Sequence, residues 1–119
     1  NNIFVNAGTA DFAKGFGVYE TDAAGTQLIF ENNALWVPNG GTLFMQNGAT
    51  PLLIATINAM QGYGGNIEAD PLLDATYHLL PGSPCRNAGK TVAVPLVDFD
   101  GDSRPQEMSF DIGADEYVP

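Results

Sequence analysis

Short apolar runs, each bounded by Asn, Gly or Pro, follow one another along the first half of the chain. Runs of this kind that are rich in β-branched and aromatic residues are typical of short β-strands ending in tight turns. Apolar residues recur at every second position at Leu28 and Phe30 and again at Leu35 and Val37, as on a strand with one buried face. The pattern predicts strands over residues 2–6, 17–21, 27–37, 42–46 and 52–60.

Residues 50–60 fit two structures. Thr50 and Pro51 suit the cap and the first position of a helix. The β-branched residues of the same run also fit a buried strand, and periodicity does not separate the two cases. We predict a strand and keep the helix as the alternative.

Two segments of the first half resemble each other. Residues 1–8 read NNIFVNAG and residues 32–40 read NNALWVPNG, at an offset of 31 residues, and a weaker echo lies at residues 56–60. An Asn turn followed by a short apolar run at regular spacing is typical of a solenoid, whose stacked coils share one interior. We therefore predict an all-β fold, a short right-handed parallel β-helix, with a β-sandwich carrying Asn-rich turns as the alternative.

The texture of the chain changes at Ala69, where Asp, Pro and Gly become frequent. The length suits one domain. We predict that residues 1–119 form this single domain, with β-helix coils over residues 1–68 and a loop-rich C-terminal cap over residues 69–119. A coil with no neighbour would leave a strand edge open at residues 2–6, which predicts self-association there as a dimer or an end-to-end stack.

The second half carries a distinctive set of motifs. They are GGNIEADPLL at residues 64–73, YHLLPGSPC at 77–85, NAG at 87–89, VDFDGDSRP at 97–105 and DIGADEY at 111–117. Together they resemble the C-terminal signature of bacterial secreted and surface proteins of the pectate-lyase-like superfamily, which are right-handed parallel β-helices. The resemblance implies this fold and a secreted or cell-surface location. It implies no activity, since the same scaffold hosts lyases, hydrolases and adhesins.

Arg86 and Asn87 depart from that signature, which has an apolar residue and Asp at these positions. Arg86 is therefore expected either in a local ion pair or facing solvent. Cys85, the one cysteine of the chain, is expected as a small buried apolar residue.

The net charge of −10 restricts the partners. Only four Lys and Arg residues stand against fourteen Asp and Glu. Nucleic-acid binding is not expected, because phosphate contacts need clustered cations. No apolar run approaches the length of about eighteen residues that a membrane span needs, so no membrane insertion is expected.

Asp98, Asp100 and Asp102 are the candidate metal ligands, because carboxylates at every second position around Gly101 can converge on a hard cation. Calcium is the cofactor that such a loop would bind, although the spacing is not that of an EF-hand. The alternative is a solvated turn in which these side chains accept nearby backbone N–H groups, or in which Arg104 clamps one carboxylate.

The remaining chemically active side chains are expected to be structural. His78 has no second histidine as a partner. Asp115 and Glu116 are neighbours, so they would point to opposite faces of a strand and make a poor acid–base pair, and Asp111 is expected to be structural with them. Four aromatic residues could stack on a carbohydrate if exposed, or could pack in the core: Phe16, Tyr19, Trp36 and Tyr63.

No catalytic residues are therefore predicted. The expected function is a non-catalytic structural or binding module that closes the C-terminal end of an extracellular β-helix protein, stabilised by calcium. The alternative is a polysaccharide-active enzyme, a lyase or a hydrolase, or a fragment of one.

Overall fold

The structure, a computed structural model, describes residues 1–5, 18–19, 29–38, 44–46, 50–91, 93 and 95–119. The elements within these ranges are short. They are β1 (Ile3–Val5), β2 (Val18–Tyr19), β3 (Ala34–Trp36), β4 (Phe44–Gln46), β5 (Thr50–Leu52), α1 (Ile54–Ile57) and β6 (Ile67–Glu68).

One sheet consists of three parallel strands in the order β1-β3-β6. Ile3 pairs with Ala34 and Ala34 with Ile67. The first of these pairs has the 31-residue offset that the similarity between the two Asn-rich segments indicates. The third strand follows Asn66, so the weaker echo at residues 56–60 does not correspond to a strand.

The other sheet is mixed and has the order β2-β4-β5. β2 and β4 are parallel, whereas β4 and β5 are antiparallel, with Phe44 opposite Leu52. The dipeptide Asn47-Gly48 stands between β4 and β5 in the sequence. Asn-Gly between strands is the strongest short-range signal for a hairpin, and the solenoid interpretation gave it no weight.

The predicted right-handed parallel β-helix is therefore wrong for the described part of the chain. A β-helix needs successive coils whose strands all pair in parallel. The described strands are two or three residues long and form two small sheets, one of which contains the antiparallel β4–β5 pair. The expectation of β-helix coils over residues 1–68 falls for the same reason.

Residues 50–60 combine the two structures that the sequence left open. Thr50–Leu52 is β5, and a single helical turn, Ile54–Ile57, follows it. Ile54 and Ile57 lie three residues apart on this turn and are both buried, so the helix places two apolar side chains on one face. The predicted strand over residues 52–60 is wrong beyond Leu52.

Two apolar clusters meet at β3. Leu35 packs with Phe44, Ile54, Ile57 and Tyr63, whereas its neighbour Ala34 packs with Leu79, Cys85 and Ile112. Neighbouring residues of a strand point to opposite faces of the sheet. The segment after residue 69 therefore packs on the Ala34 side of the parallel sheet.

The described residues after Glu68 contain no strand, only the isolated bridges Leu73–Leu79 and Val97–Ser103. None of the helices in the described ranges has the length and apolar character of a membrane-spanning helix.

Candidate metal centre

Asp98 holds the turn that contains the predicted calcium ligands. Its Oδ1 accepts the backbone N–H groups of Asp100 at 3.0 Å and Asp102 at 2.9 Å, and its Oδ2 accepts that of Glu116 at 3.2 Å. The side chain is buried, whereas Asp102 is exposed. Asp98 thus makes the bonds expected of a structural turn residue, and calcium binding by Asp98, Asp100 and Asp102 stays a prediction.

Asp100 instead faces a residue from a different loop. Its Oδ2 lies 2.7 Å from Nε2 of His78. One carboxylate oxygen of Asp115 completes the group, and the candidate ligand atoms of His78, Asp100 and Asp115 all lie within 4.8 Å of one another. In the described part of the chain, this is the group of three His, Cys, Asp or Glu side chains arranged closely enough to hold a metal ion.

His78 is held in place by the loop that precedes it. The Leu73–Leu79 bridge closes this loop, and Oδ1 of Asp74 accepts the backbone N–H of His78 at 3.0 Å. The Nδ1 atom of the ring lies 2.8 Å from Oγ1 of Thr76 and 3.4 Å from Oδ2 of Asp74. The orientation of the imidazole is therefore set on its Nδ1 side, and Nε2 points to Asp100.

The carboxylates of Asp100 and Asp115 lie beside His78 because backbone hydrogen bonds join the loops that carry these three residues. Oδ2 of Asp115 accepts the backbone N–H of Leu79, the residue after His78, at 2.7 Å. The backbone N–H of Phe99 donates to the carbonyl of Ala114 at 3.1 Å, and the Phe99 ring stacks on that of His78 with centroids 5.3 Å apart. Three loops thus converge on one point without a regular strand or helix.

The electrostatics of the group reflect unequal burial. Burial raises the pKa of Asp115 above its ordinary value, although the Leu79 amide opposes this shift. The hydrogen bond to Asp100 raises the pKa of His78. Backbone and side-chain hydrogen bonds from His78 and Thr76 lower the pKa of Asp74 to about 2. Burial of Asp115 and the hydrogen bond to Asp100 thus shift the pKa values of both neighbouring groups upwards.

An open groove of about 800 Å³ lies next to this group. The residues that line it include strand β1 together with Tyr77, Phe99 and Asp115. Tyr77 is 76% exposed and Phe99 is 53% exposed, so both rings present a large apolar surface to solvent.

Sequence reasoning named Asp100 as a candidate ligand but expected His78 and Asp115, which lie beside it in the structure, to be structural. The spacing Asp74, Thr76, His78 is a local signal, because an Asp side chain commonly accepts the N–H groups that follow it in a turn. For Asp115, the sequence provides no signal beyond the presence of a carboxylate.

Arg104 pairs with Glu116 and not with a carboxylate of the Asp98–Asp102 turn, which was the alternative that the sequence left open. Its Nε donates to Oε1 of Glu116 at 2.8 Å, and both side chains are almost fully buried. Asp111 is also buried, and its carboxylate accepts the backbone N–H groups of Asn87 and Tyr117. The expectation that Asp111 and Glu116 are structural agrees with these bonds.

The aromatic residues that could stack on a carbohydrate or pack in the core do not form one exposed platform in the described part of the chain. Tyr63 is buried in the core, and Trp36 is partly buried on β3. Phe16 lies outside the described residues, as does the side chain of Tyr19.

The environments of Cys85 and Arg86 in the structure can be compared with those that the sequence predicted. Cys85 is fully buried, and burial raises the pKa of its thiol to about 11, as for an apolar core residue. Arg86 forms the expected local ion pair, with Oε1 of Glu107 at 2.7 Å, and its guanidinium lies 3.8 Å from the centre of the Tyr117 ring.

Comparisons with protein-family models, with curated proteins and with solved structures gave no match to this chain.

Proposed function

We propose that the chain is a non-catalytic structural module whose acidic side chains brace its loop-rich second half. The observation that carries this function is the use of carboxylates as acceptors for backbone N–H groups. Asp98 accepts three of them and Asp111 accepts two. Asp115 and Glu116 bind further backbone N–H groups.

In this loop-rich segment, carboxylates accept backbone N–H groups that in a β-sheet would be paired with the carbonyls of a neighbouring strand. A loop buried without partners for its backbone polar groups would be destabilised by about 1–3 kcal/mol for each unpaired group. Charge-assisted hydrogen bonds are roughly twice as strong as neutral ones. Carboxylates in these positions favour a fixed path for residues 69–119, as a structural module requires.

The substitution Asp98→Ala tests this function. Because it removes the acceptor for three backbone N–H groups, we expect the free energy of unfolding to fall by about 3 kcal/mol. The matched control is Asp102→Ala in the same turn, whose exposed side chain makes no hydrogen bond within the described residues. Urea unfolding measures both. Equal losses for the two variants would contradict the bracing role.

We also propose that the module works outside the cell. The support is the resemblance of residues 64–117 to the C-terminal segments of bacterial surface proteins, together with a net charge of −10. Antibody labelling of intact cells that express the chain from its own gene tests this location. Labelling that appears only after the cells are broken would contradict it.

A polysaccharide-active enzyme is the second candidate, and the groove beside His78 favours it. Asp74 and Asp115 line this groove together with the exposed rings of Tyr77 and Phe99, which offer stacking surface, and the His78 imidazole lies close to Asp115. Incubation with acidic polysaccharides, followed by the absorbance of unsaturated products, tests a lyase, and a reducing-end assay tests a hydrolase. Turnover that His78→Gln abolishes would replace the structural function by this one.

A further inference from the structure

We propose that His78, Asp100 and Asp115 bind a divalent first-row transition-metal ion such as Zn²⁺. Their candidate ligand atoms already lie within 4.8 Å of one another. Zinc binds imidazole nitrogen and carboxylate oxygen at roughly 2.0–2.2 Å in a tetrahedral arrangement, so its ligand atoms lie about 3.4 Å apart. On binding, Nε2 of His78 and Oδ2 of Asp100, which lie 2.7 Å apart, would separate by roughly 0.7 Å, and the more distant pairs would close by at most about 1.4 Å.

The imidazole of His78 is oriented as in a metal-bound histidine. Metal-ligating histidines almost always bind a carboxylate, a carbonyl or water through the second ring nitrogen, which fixes the ring. Here Nδ1 contacts Oγ1 of Thr76 at 2.8 Å, and Thr76 donates its hydroxyl to Oδ1 of Asp74 at 2.8 Å. Nε2 is then the atom that faces Asp100, and an ion that binds there displaces the Nε2 proton into solvent.

Asp115 adds a carboxylate oxygen that is available to an ion. The residue as a whole is 6% exposed. Oδ2 accepts the Leu79 amide at 2.7 Å, whereas Oδ1 makes no hydrogen bond within the described residues and, since it is not among the fully buried polar atoms without a partner, reaches the solvent of the groove. The described lysine and arginine side chains form their ion pairs elsewhere, with Glu31, Glu107 and Glu116, so none of them occupies this oxygen.

The chemistry of the ligands selects the class of ion. One imidazole nitrogen with two carboxylates suits zinc and its first-row neighbours. Calcium prefers six to eight oxygen ligands. Three protein ligands leave a position for water, and Asp115 lines the adjoining groove, so the bound ion would be reachable from solvent.

Nuclear magnetic resonance of the single histidine tests the site directly. The chain contains one His, so the imidazole resonances of the tag-free protein report on His78 alone. We expect a saturable shift of these resonances with one equivalent of Zn²⁺ near neutral pH, and at least tenfold weaker binding of Ca²⁺. Imidazole resonances that Zn²⁺ leaves unchanged would overturn the site.

Calorimetry with ZnCl₂ separates the ligands from their neighbours. We expect His78→Gln and Asp100→Asn to weaken zinc binding at least tenfold, and the matched control Asp102→Asn to bind like the original chain. Circular dichroism checks that each variant is folded. Asp115 is left unchanged in this series because its carboxylate also holds the Leu79 amide. Zinc binding that survives His78→Gln, or that Asp102→Asn also abolishes, would contradict the assignment.

Discussion

Buried asparagines connect the three strands of the parallel sheet, one side chain to the next. Oδ1 of Asn33 accepts the backbone N–H of Asn2 at 3.0 Å, while Nδ2 of Asn33 donates to Oδ1 of Asn66 at 2.8 Å. Asn66 donates in turn to the carbonyl of Phe30 at 2.8 Å. The side-chain amides of Asn33 and Asn66 thus each use both donor and acceptor, so the row fixes which strands lie side by side.

Asn66→Ala should be strongly destabilising. It leaves the backbone N–H and the side-chain amide of buried Asn33 without an acceptor, and we expect a loss of about 3 kcal/mol. Asn2→Ala, at the exposed end of the row, should cost less than about 1 kcal/mol. Chemical denaturation of the two variants measures both values. A ranking in the opposite order would show that the row does not stabilise the sheet.

The Arg86–Glu107 pair predicts a pH dependence of stability. The hydrogen bond from Arg86 lowers the pKa of Glu107. A carboxyl whose pKa is lower in the folded state stabilises above its unfolded pKa, and this contribution is lost as pH falls through the folded value.

Glu107→Gln should therefore lower the unfolding midpoint at pH 7, and the deficit should shrink as the pH falls below about 4.3 towards the lower folded value. The control is Glu68→Gln on β6, where the side chain is exposed. Thermal unfolding followed across this range measures the difference. A deficit that is equally large at low pH would assign the effect to packing instead of charge.

At the scale of elements, close backbone contacts join loops where regular elements are absent. Gly89 donates its N–H to the carbonyl of Phe110 at 2.8 Å, and Ile112 donates to the carbonyl of Cys85 at 2.9 Å. These two bonds hold residues 85–89 against residues 110–112. A Cβ on Gly89 would lie 2.8 Å from the Phe110 carbonyl oxygen and closer still to that of Asp111.

Gly89→Ala should therefore push the two segments apart and lower stability by roughly 1–3 kcal/mol. The matched control is Gly64→Ala, where a Cβ would meet nothing within 4 Å; we expect a change within about 0.5 kcal/mol. Urea unfolding compares the two. Indistinguishable midpoints would mean that the contact between the segments yields without cost.

At the scale of the whole molecule, β1 is an edge strand among the described residues. It lies at one end of the order β1-β3-β6, consists of three uncharged residues, and exposes 42% of Val5. An edge strand presents unpaired backbone groups to which a second copy can add. The strand at which the predicted self-association of residues 2–6 would occur is therefore β1.

Analytical ultracentrifugation over a wide concentration range tests this association. We expect a dimer that Val5→Lys weakens, because a charge on an edge strand opposes pairing. Val118→Lys, a second exposed valine far from β1 in the sequence, is the control. A monomer at every concentration, or equal weakening by both substitutions, would contradict pairing at β1.

Local sequence pattern determined several features of this protein. The repeated Asn-Asn and apolar run at residues 1 and 32 indicated which strands pair and at what offset, and the Asp-, Pro- and Gly-rich texture indicated loops after residue 69. Both are properties of neighbouring residues, since side-chain size and turn chemistry act over a few positions. The buried state of Cys85 follows from the same kind of local reasoning.

Only the tertiary structure decided the rest. A solenoid and a pair of small sheets share the same short strands, and the direction of β5 against β4 separates them. The candidate metal centre joins His78 to Asp100 across 22 residues. Asp115 becomes a candidate ligand through burial against Leu79, which depends on how distant loops pack. Which distant side chains come together depends on how the whole chain folds, and the local sequence pattern carries no information about it.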